Sequence, residues 1–201
     1  MPVLETQRLL ARLYTDPRLL EEFLSNRESF CARYADDGDF VSQVDPGQLE
    51  FFARSLRSKR AGEVKKLLSM TVRALGPKFE DEFLTYATTT VPTAEKKHIA
   101  DAMAFCDHLI NNRRAELDAV ITESATFELS ALRVRFDLKL QGESPVAAQA
   151  IPSCYPWLCL KRMRLALQSS RGEIDFSPRP SAKARVVLFA RLPGVRGVWY
   201  W

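Results

Sequence analysis

Residues 45–77 read DPGQLEFFARSLRSKRAGEVKKLLSMTVRALGP, and this stretch decides the fold class. Asp45 before Pro46, with Gln48 three residues after the cap, predicts a helix start, because the carboxylate accepts first-turn N–H groups and proline lacks one. The pattern predicts one helix over 46–59 and a second over 62–76, which Gly76 and Pro77 end. The second helix has an apolar stripe of Val64, Leu67, Leu68, Thr71, Val72 and Leu75.

Helical patterns also fill most of the chain before residue 141. Two short helices are predicted at the start, one with Leu9, Leu10, Leu13 and Tyr14 on one side and one capped by Asp16 before Pro17. Residues 31–44 have no clear period and are predicted as a loop, and another short helix starts near 77. Thr93 is expected to cap a helix over 94–112. A long helix is predicted over 115–140, although its tail from Leu132 alternates and could instead be a strand.

The last sixty residues have a different composition and periodicity. Residues 142–157 are rich in proline, 158–170 favour one helix, and 185–201 predict a hairpin, with turn residues between two apolar runs. The predicted class is therefore mainly α with a small C-terminal β-hairpin, an α+β arrangement with a bundle-like helical domain over 1–141 and a smaller mixed segment over 142–201.

Composition is that of an ordinary folded chain. The 201 residues are 46% hydrophobic and 27% charged, and no apolar run reaches the roughly 20 residues that a membrane span needs. A secretory signal pattern is also missing, so the expected compartment is the cytoplasm. The cysteines have spacings that match no common zinc or redox motif, and reduced buried thiols are expected at Cys31, Cys106, Cys154 and Cys159.

Charge is unevenly distributed despite a net value of only +4. Residues 1–50 carry more acids than bases, whereas residues 151–201 carry nine Lys or Arg against Glu173 and Asp175. A second basic cluster lies at the predicted helix junction, and its members are Arg54, Arg57, Lys59, Arg60, Lys65 and Lys66. Such a cluster is compatible with a solvated face, an acidic peptide or protein, or duplex nucleic acid read by a helix-turn-helix.

Groups suited to catalysis are sparse. His98 and His108 are ten residues apart on one predicted helix, about three turns, so they cannot share a metal or a substrate atom. Gly-rich phosphate loops, nucleophile elbows and His-Glu-x-x-His patterns are absent. We therefore expect no independent activity, no metal site and no cofactor in this chain.

Two motifs in residues 4–90 carry a family resemblance. They are Leu-Tyr-Thr-Asp-Pro at 13–17 and Ser-Leu-x-x-Lys-Arg-x-x-Glu-Val at 55–64. This part of the chain resembles the helical accessory proteins encoded beside multinuclear non-haem iron oxidative enzymes, which modify cysteine in ribosomally made peptides, as in 3-thiaglutamate and methanobactin biosynthesis. The ending LFARLPGVRGVWYW, residues 188–201, resembles the closing hairpin of that family.

The resemblance implies a non-catalytic subunit in a heterodimer. Its partners would be a barrel-type iron oxidase, which supplies the iron, and a ribosomal precursor peptide, with no membrane and no nucleic acid. An extended peptide could add a strand to the terminal hairpin. The hairpin could equally close the chain's own core. Candidate peptide- or partner-binding residues are Arg57, Lys59, Arg60, Lys65, Lys66, Arg185, Phe189, Arg191, Arg196, Trp199, Tyr200 and Trp201.

Two alternatives lie outside that family. The first is a nucleic-acid-binding regulator that uses the basic helix junction 54–66, and it predicts binding to duplex DNA that weakens steeply with salt. The second is a redox or metal-binding protein that uses Cys154 and Cys159.

Overall fold

A computed structural model of the chain describes residues 3–34, 43–91, 97–113, 117–136, 147–153, 185–191 and 199–200. Most of these residues are helical, which confirms the mainly α class. The α-helices are α1 (Val3–Thr15), α2 (Pro17–Ser25), α3 (Arg27–Arg33), α4 (Pro46–Leu67), α5 (Ser69–Leu75), α6 (Phe79–Ala87), α7 (Lys97–Asn111) and α8 (Ala119–Phe136). A 3-10 turn, Gly76–Lys78, joins α5 to α6.

Side-chain caps begin the helices where the sequence places them. Asp16 Oδ1 accepts hydrogen bonds from the N–H groups of Arg18 (3.0 Å) and Leu19 (3.3 Å), and Pro17 is the first residue of α2. Asp45 Oδ1 accepts from Gly47 N at 2.8 Å before α4. Both predicted helix starts are confirmed, because each carboxylate satisfies a donor that the first turn leaves unpaired.

The predicted helix junction at 60–62 is wrong. Residues 46–67 form one continuous helix, α4, and the break falls later, at Leu68, whose φ of −110° and ψ of 52° are not helical. Gly62 was the signal for a turn, but a glycine inside a helix costs only about 1 kcal/mol relative to alanine, and the flanking residues are good helix formers. The glycine in the left-handed region is Gly76, with φ 57°, which ends α5 as predicted.

One other boundary differs from the sequence prediction. Residues 31–33 belong to α3, which Asn26 caps by accepting from Ser29 N at 3.1 Å, and not to a loop. The tail from Leu132 to Phe136 continues α8, as the prediction of one long helix required, and does not form the alternative strand. Thr93, the predicted cap of α7, lies outside the described residues, as do 137–140 and the predicted helix over 158–170.

Unit 1, the first of two compact units, comprises Met1–Glu63 and Glu80–Thr93. Its core joins α1, α2, α3 and the start of α4 through side chains spaced three or four residues apart, as an amphipathic helix requires. Phe23 and Phe30 meet edge to face at 5.4 Å within it. The buried members are Leu9, Leu13, Leu19, Leu20, Phe23, Phe30, Leu49 and Ala53.

Unit 2 comprises Val64–Phe79 and Ala94–Trp201. It contains α5, α7, α8 and three strands, β1 (Ala147–Ser153), β2 (Arg185–Arg191) and β3 (Trp199–Tyr200), in the antiparallel order β1-β2-β3. Ala150 pairs with Leu188, and Phe189 pairs with Tyr200. The predicted turn over 192–197 and the predicted domain boundary at 141/142 lie outside the described residues.

No helix in the described ranges is both long enough and apolar enough to cross a membrane.

Candidate functional site

The basic residues predicted to bind a partner lie along α4 in two environments. Arg54, Lys59, Lys65 and Lys66 are exposed, whereas Arg57 and Arg60 are half-buried. Burial lowers the pKa of Arg57, the neighbouring charges of Arg60 and Arg54 lower it further, and Glu50 opposes them. The six cations therefore do not form one uniform patch.

Arg60 is engaged within unit 1. Its Nη2 donates a hydrogen bond to the carbonyl oxygen of Thr90 at 2.9 Å, and its guanidinium carbon lies 5.9 Å from the centre of the Phe83 ring. These contacts join α4 to α6 and to the residues that follow α6. A guanidinium that donates to a carbonyl and stacks on a ring stabilises the fold.

Lys65 has a similar contact within unit 2. Its ammonium nitrogen lies 5.7 Å from the centre of the Phe79 ring, and Phe79 packs edge to face on Phe105 at 5.7 Å. Lys65 therefore makes a cation–π contact with the buried Phe79 ring.

Sequence reasoning missed an exposed apolar group on α4. Phe51 is 67% exposed, Phe52 is 50% exposed and Leu56 is 41% exposed. Phe52 meets Tyr14 of α1 edge to face at 5.7 Å, and the two phenylalanine rings are 5.9 Å apart. The signal was available: Leu49 and Ala53 set the phase of the buried stripe, and the Phe-Phe pair falls out of that phase.

The exposed residues Phe51, Phe52, Arg54, Ser55, Leu56 and Lys59 are called the Phe51–Lys59 face below. Phe52, Leu56 and Lys59 follow one another at positions i, i+4 and i+7, so they share one side of the helix. Phe51 and Ser55 extend this side, and Arg54 borders Phe51. All six residues belong to unit 1.

The predicted residues at the C-terminal end lie partly in β2. Val187 and Phe189 are buried, and Phe189 packs on Phe127 of α8 with ring centres 4.9 Å apart, whereas Val186 and Leu188 are exposed. Phe189 therefore contributes to the core of unit 2. Arg185 and Arg191 are the end residues of β2, Trp199 and Tyr200 form β3, and Arg196 and Trp201 lie outside the described residues.

Unit 2 also holds a buried carboxylate, Glu128 of α8. Its oxygens accept hydrogen bonds from the backbone N–H groups of Met70 (2.8 Å) and Thr71 (2.9 Å), from the Thr71 hydroxyl (2.7 Å) and from the Ser69 hydroxyl (3.4 Å). Leu68, the residue at the N-cap position of α5, makes no side-chain cap. Glu128 therefore serves as the cap of α5 from a distant helix.

Burial raises the pKa of Glu128 to about 7, and the hydrogen bonds from Met70 and Thr71 limit the rise. Loss of water around the charged form thus outweighs the donors that favour it. All of these partners lie on α5, so the observed contacts hold α5 to α8.

Both histidines and Cys106 lie on α7, and Cys31 lies on α3. His98 is exposed and His108 is half-buried, with its Nδ1 3.2 Å from the Asn112 amide. Cys106 is a buried free thiol, as expected, and burial raises its pKa, with a further rise from the charge of Glu128. Cys31 is also free but is only half-buried, and Cys154 and Cys159 lie outside the described residues. Within the described ranges no group of three His, Cys, Asp or Glu side chains is arranged to hold a metal ion.

These observations define a mainly helical protein with an exposed aromatic and cationic helix face. Residues 16–111, just under half of the chain, match the family model of the SCO6045-like, C-terminal domain. The matched segment contains the whole Phe51–Lys59 face. No curated protein and no solved structure gives a significant match.

Proposed function

We propose that this chain is a non-catalytic partner subunit that binds an iron-dependent, peptide-modifying oxidase and helps recruit its ribosomal precursor peptide for cysteine modification. Iron would be carried by the oxidase, and the pair would act as a heterodimer in the cytoplasm. The resemblance of residues 4–90 and of the chain ending supports this assignment.

The Phe51–Lys59 face is the observation that carries the proposal. Single exposed apolar residues are ordinary, but adjacent exposed aromatic rings beside cations are typical of a protein-binding surface. Phe51 exposes more than half of its surface to water and Phe52 exposes half, although the neighbouring residues Leu49 and Ala53 of α4 are buried. A partner that covers these rings would remove the cost of hydrating them.

A second contact is proposed at residues 185–201. The predicted hairpin there would present Arg185, Arg191, Arg196 and the terminal aromatic residues to an extended peptide or to the oxidase, in addition to closing unit 2 through Phe189. The exposed side chains of Val186 and Leu188 support this second surface.

Co-expression of the tagged chain with the oxidase encoded beside it tests the function. We expect the two proteins to co-purify at equal stoichiometry, with iron following the oxidase, and we expect peptide modification only when both are present. Purification of the chain alone, together with full activity of the oxidase without it, would refute the proposal.

Duplex DNA is the control ligand in the same preparation. The alternative, a nucleic-acid-binding regulator, needs a helix junction within 54–66, where α4 is continuous, but the cations of α4 can still be tested for DNA binding. Binding that falls steeply between low and moderate salt, and is lost in a variant with Gln at the exposed residues Lys59 and Lys66, would favour that alternative.

A further inference from the structure

We propose that the Phe51–Lys59 face is the docking site for an acidic amphipathic helix in the precursor peptide. This inference rests on the proposed function and adds the chemistry, the conformation and the location of the bound segment. The apolar side of the peptide helix would cover Phe51, Phe52 and Leu56, while its carboxylates would meet Arg54 and Lys59.

Helical conformation follows from the backbone of the docking surface. The N–H groups inside α4 are already bonded within the helix, so this surface offers no edge to which an extended peptide could add a strand. Two helices pack instead by placing side-chain ridges in the grooves of the partner. Small Ser55 lies between the rings of Phe51 and Phe52 and the Lys59 side chain, so it leaves room for an apolar side chain of the peptide.

The length of the face sets the length of the bound segment. Phe51 and Lys59 are eight residues apart on a regular helix, which corresponds to about 12 Å along its axis. A peptide helix that lies along α4 would therefore contact it over about two to three turns, with apolar residues at i, i+3, i+4 and i+7.

Charge complementarity selects an acidic peptide. Arg54 and Lys59 are both exposed; Arg54 lies beside Phe51 around the helix, and Lys59 lies beyond Ser55 at the C-terminal end of the face. Acids lie one turn from each cation, Glu50 before Arg54 and Glu63 after Lys59. The helix nevertheless carries six Lys or Arg over residues 54–66 against these two acids, so its charge is net positive. A peptide with basic residues around the same apolar stripe would face repulsion, which gives the surface its specificity.

Binding of a synthetic probe tests the inference directly. The probe is a fluorescein-labelled peptide of about 16 residues with Leu at helical spacing and Glu elsewhere, and its matched control carries Lys at every Glu position. Fluorescence anisotropy with the full chain should show binding of the acidic probe, at least about tenfold tighter than the control, with affinity that falls as salt is added.

Variants locate the binding to this face. F51S/F52S and K59E should each lower the affinity for the acidic probe at least about tenfold. L24S, which removes an exposed apolar side chain from α2, should change this affinity less than about twofold. F51S alone, at the more exposed position, provides the same test if the double variant unfolds more easily. Equal binding of both probes, no binding at about 1 mM, or binding unaffected by these variants would overturn the inference.

Co-purification separates this inference from the proposed function. F51S/F52S should still co-purify with the oxidase but should recover less precursor peptide. If that variant loses the oxidase and keeps the peptide, the face is an enzyme contact and the inference fails while the function stands. If the wild-type chain binds neither partner, the proposed function itself fails.

Discussion

At the scale of single residues, the position of a charged residue in the sequence does not show whether its side chain is exposed or packed within the fold. Lys59 and Arg60 are neighbours, yet Lys59 is exposed and Arg60 donates to Thr90 O while it stacks on Phe83. Both were predicted as binding residues because only their charge was visible. The structure assigns one to the surface and the other to internal packing.

Arg60→Ala should therefore lower the stability of unit 1 by about 2 kcal/mol, because a charge-assisted hydrogen bond and a cation–π contact are lost together. Chemical denaturation followed by circular dichroism measures the change. Lys59→Ala is the matched control and should stay within about 0.5 kcal/mol of wild type. Equal effects of the two substitutions would contradict the assignment of Arg60 to the fold.

Glu128 predicts a pH dependence of stability. Its pKa is about 7 in the folded chain and close to 4.5 when unfolded, so the folded state holds the proton of Glu128 more tightly. The resulting contribution is fully present below about pH 4.5 and is lost as pH rises through about 7, and it amounts to about 3 kcal/mol at most. Urea titrations of wild type and Glu128→Gln at a series of pH values measure it.

Glu128→Gln should remove this slope, because an amide does not titrate in that range. Glu123→Gln on the same helix should leave the slope in place and serves as the control for removing an acid from α8. Glu128→Ala should be less stable than wild type by about 1–3 kcal/mol even at low pH, since the N–H groups of Met70 and Thr71 lose their acceptor. If the free energy of unfolding depends on pH in the same way in wild type and Glu128→Gln, titration of Glu128 does not contribute to stability.

At the scale of elements, α4 shows which features of a helix can be predicted from neighbouring residues. Its start was predictable from Asp45 and Pro46, because a cap acts within one turn. Its continuation through Gly62 was not, because glycine permits a turn and a helix alike. The helix-turn-helix interpretation failed for this reason.

Gly62→Ala should stabilise the chain by up to about 1 kcal/mol, because alanine loses less backbone entropy in a helix and the added Cβ meets no atom within 4 Å. Thermal unfolding measures the gain. Gly76→Ala is the contrasting control. A Cβ at Gly76 also meets no atom within 4 Å, but the φ of 57° is unfavourable for alanine, so this variant should be less stable than wild type. A destabilised Gly62→Ala variant would indicate that α4 is not continuous at this residue.

At the scale of the whole molecule, contacts between distant segments build the two units. In unit 2, Phe127 and Phe189 are far apart in sequence and their rings meet at 4.9 Å. In the same unit Glu128 reaches residues 69–71. Alternation in residues 185–191 predicted a strand, but it could not show which of its two faces would be buried or what would bury it.

Phe189→Ala should destabilise unit 2 by about 3–5 kcal/mol, because it removes a fully buried ring and leaves a cavity beside Phe127. Val186→Ala, at a position that is 68% exposed on the same strand, should change stability by less than about 0.5 kcal/mol. Equilibrium unfolding of both variants distinguishes them. Similar small effects would mean that Phe189 is available to a partner instead of closing the core.

The sequence alone determined the mainly helical class, the capped starts at Asp16 and Asp45, the end of α5 at Gly76 and the buried stripe of α1. These features depend on contacts within one or two turns, so the neighbouring residues decide them. The sequence also carried the resemblance from which the function is proposed.

Tertiary structure alone decided that Arg60 binds Thr90, that Glu128 caps α5, and that Phe189 is buried while Phe51 and Phe52 are exposed. Each of these facts joins residues far apart in the chain or concerns which side of an element is covered. Such choices depend on how all the apolar faces are buried together, because desolvation and hydrogen-bond satisfaction are properties of the packed unit and not of a local pattern.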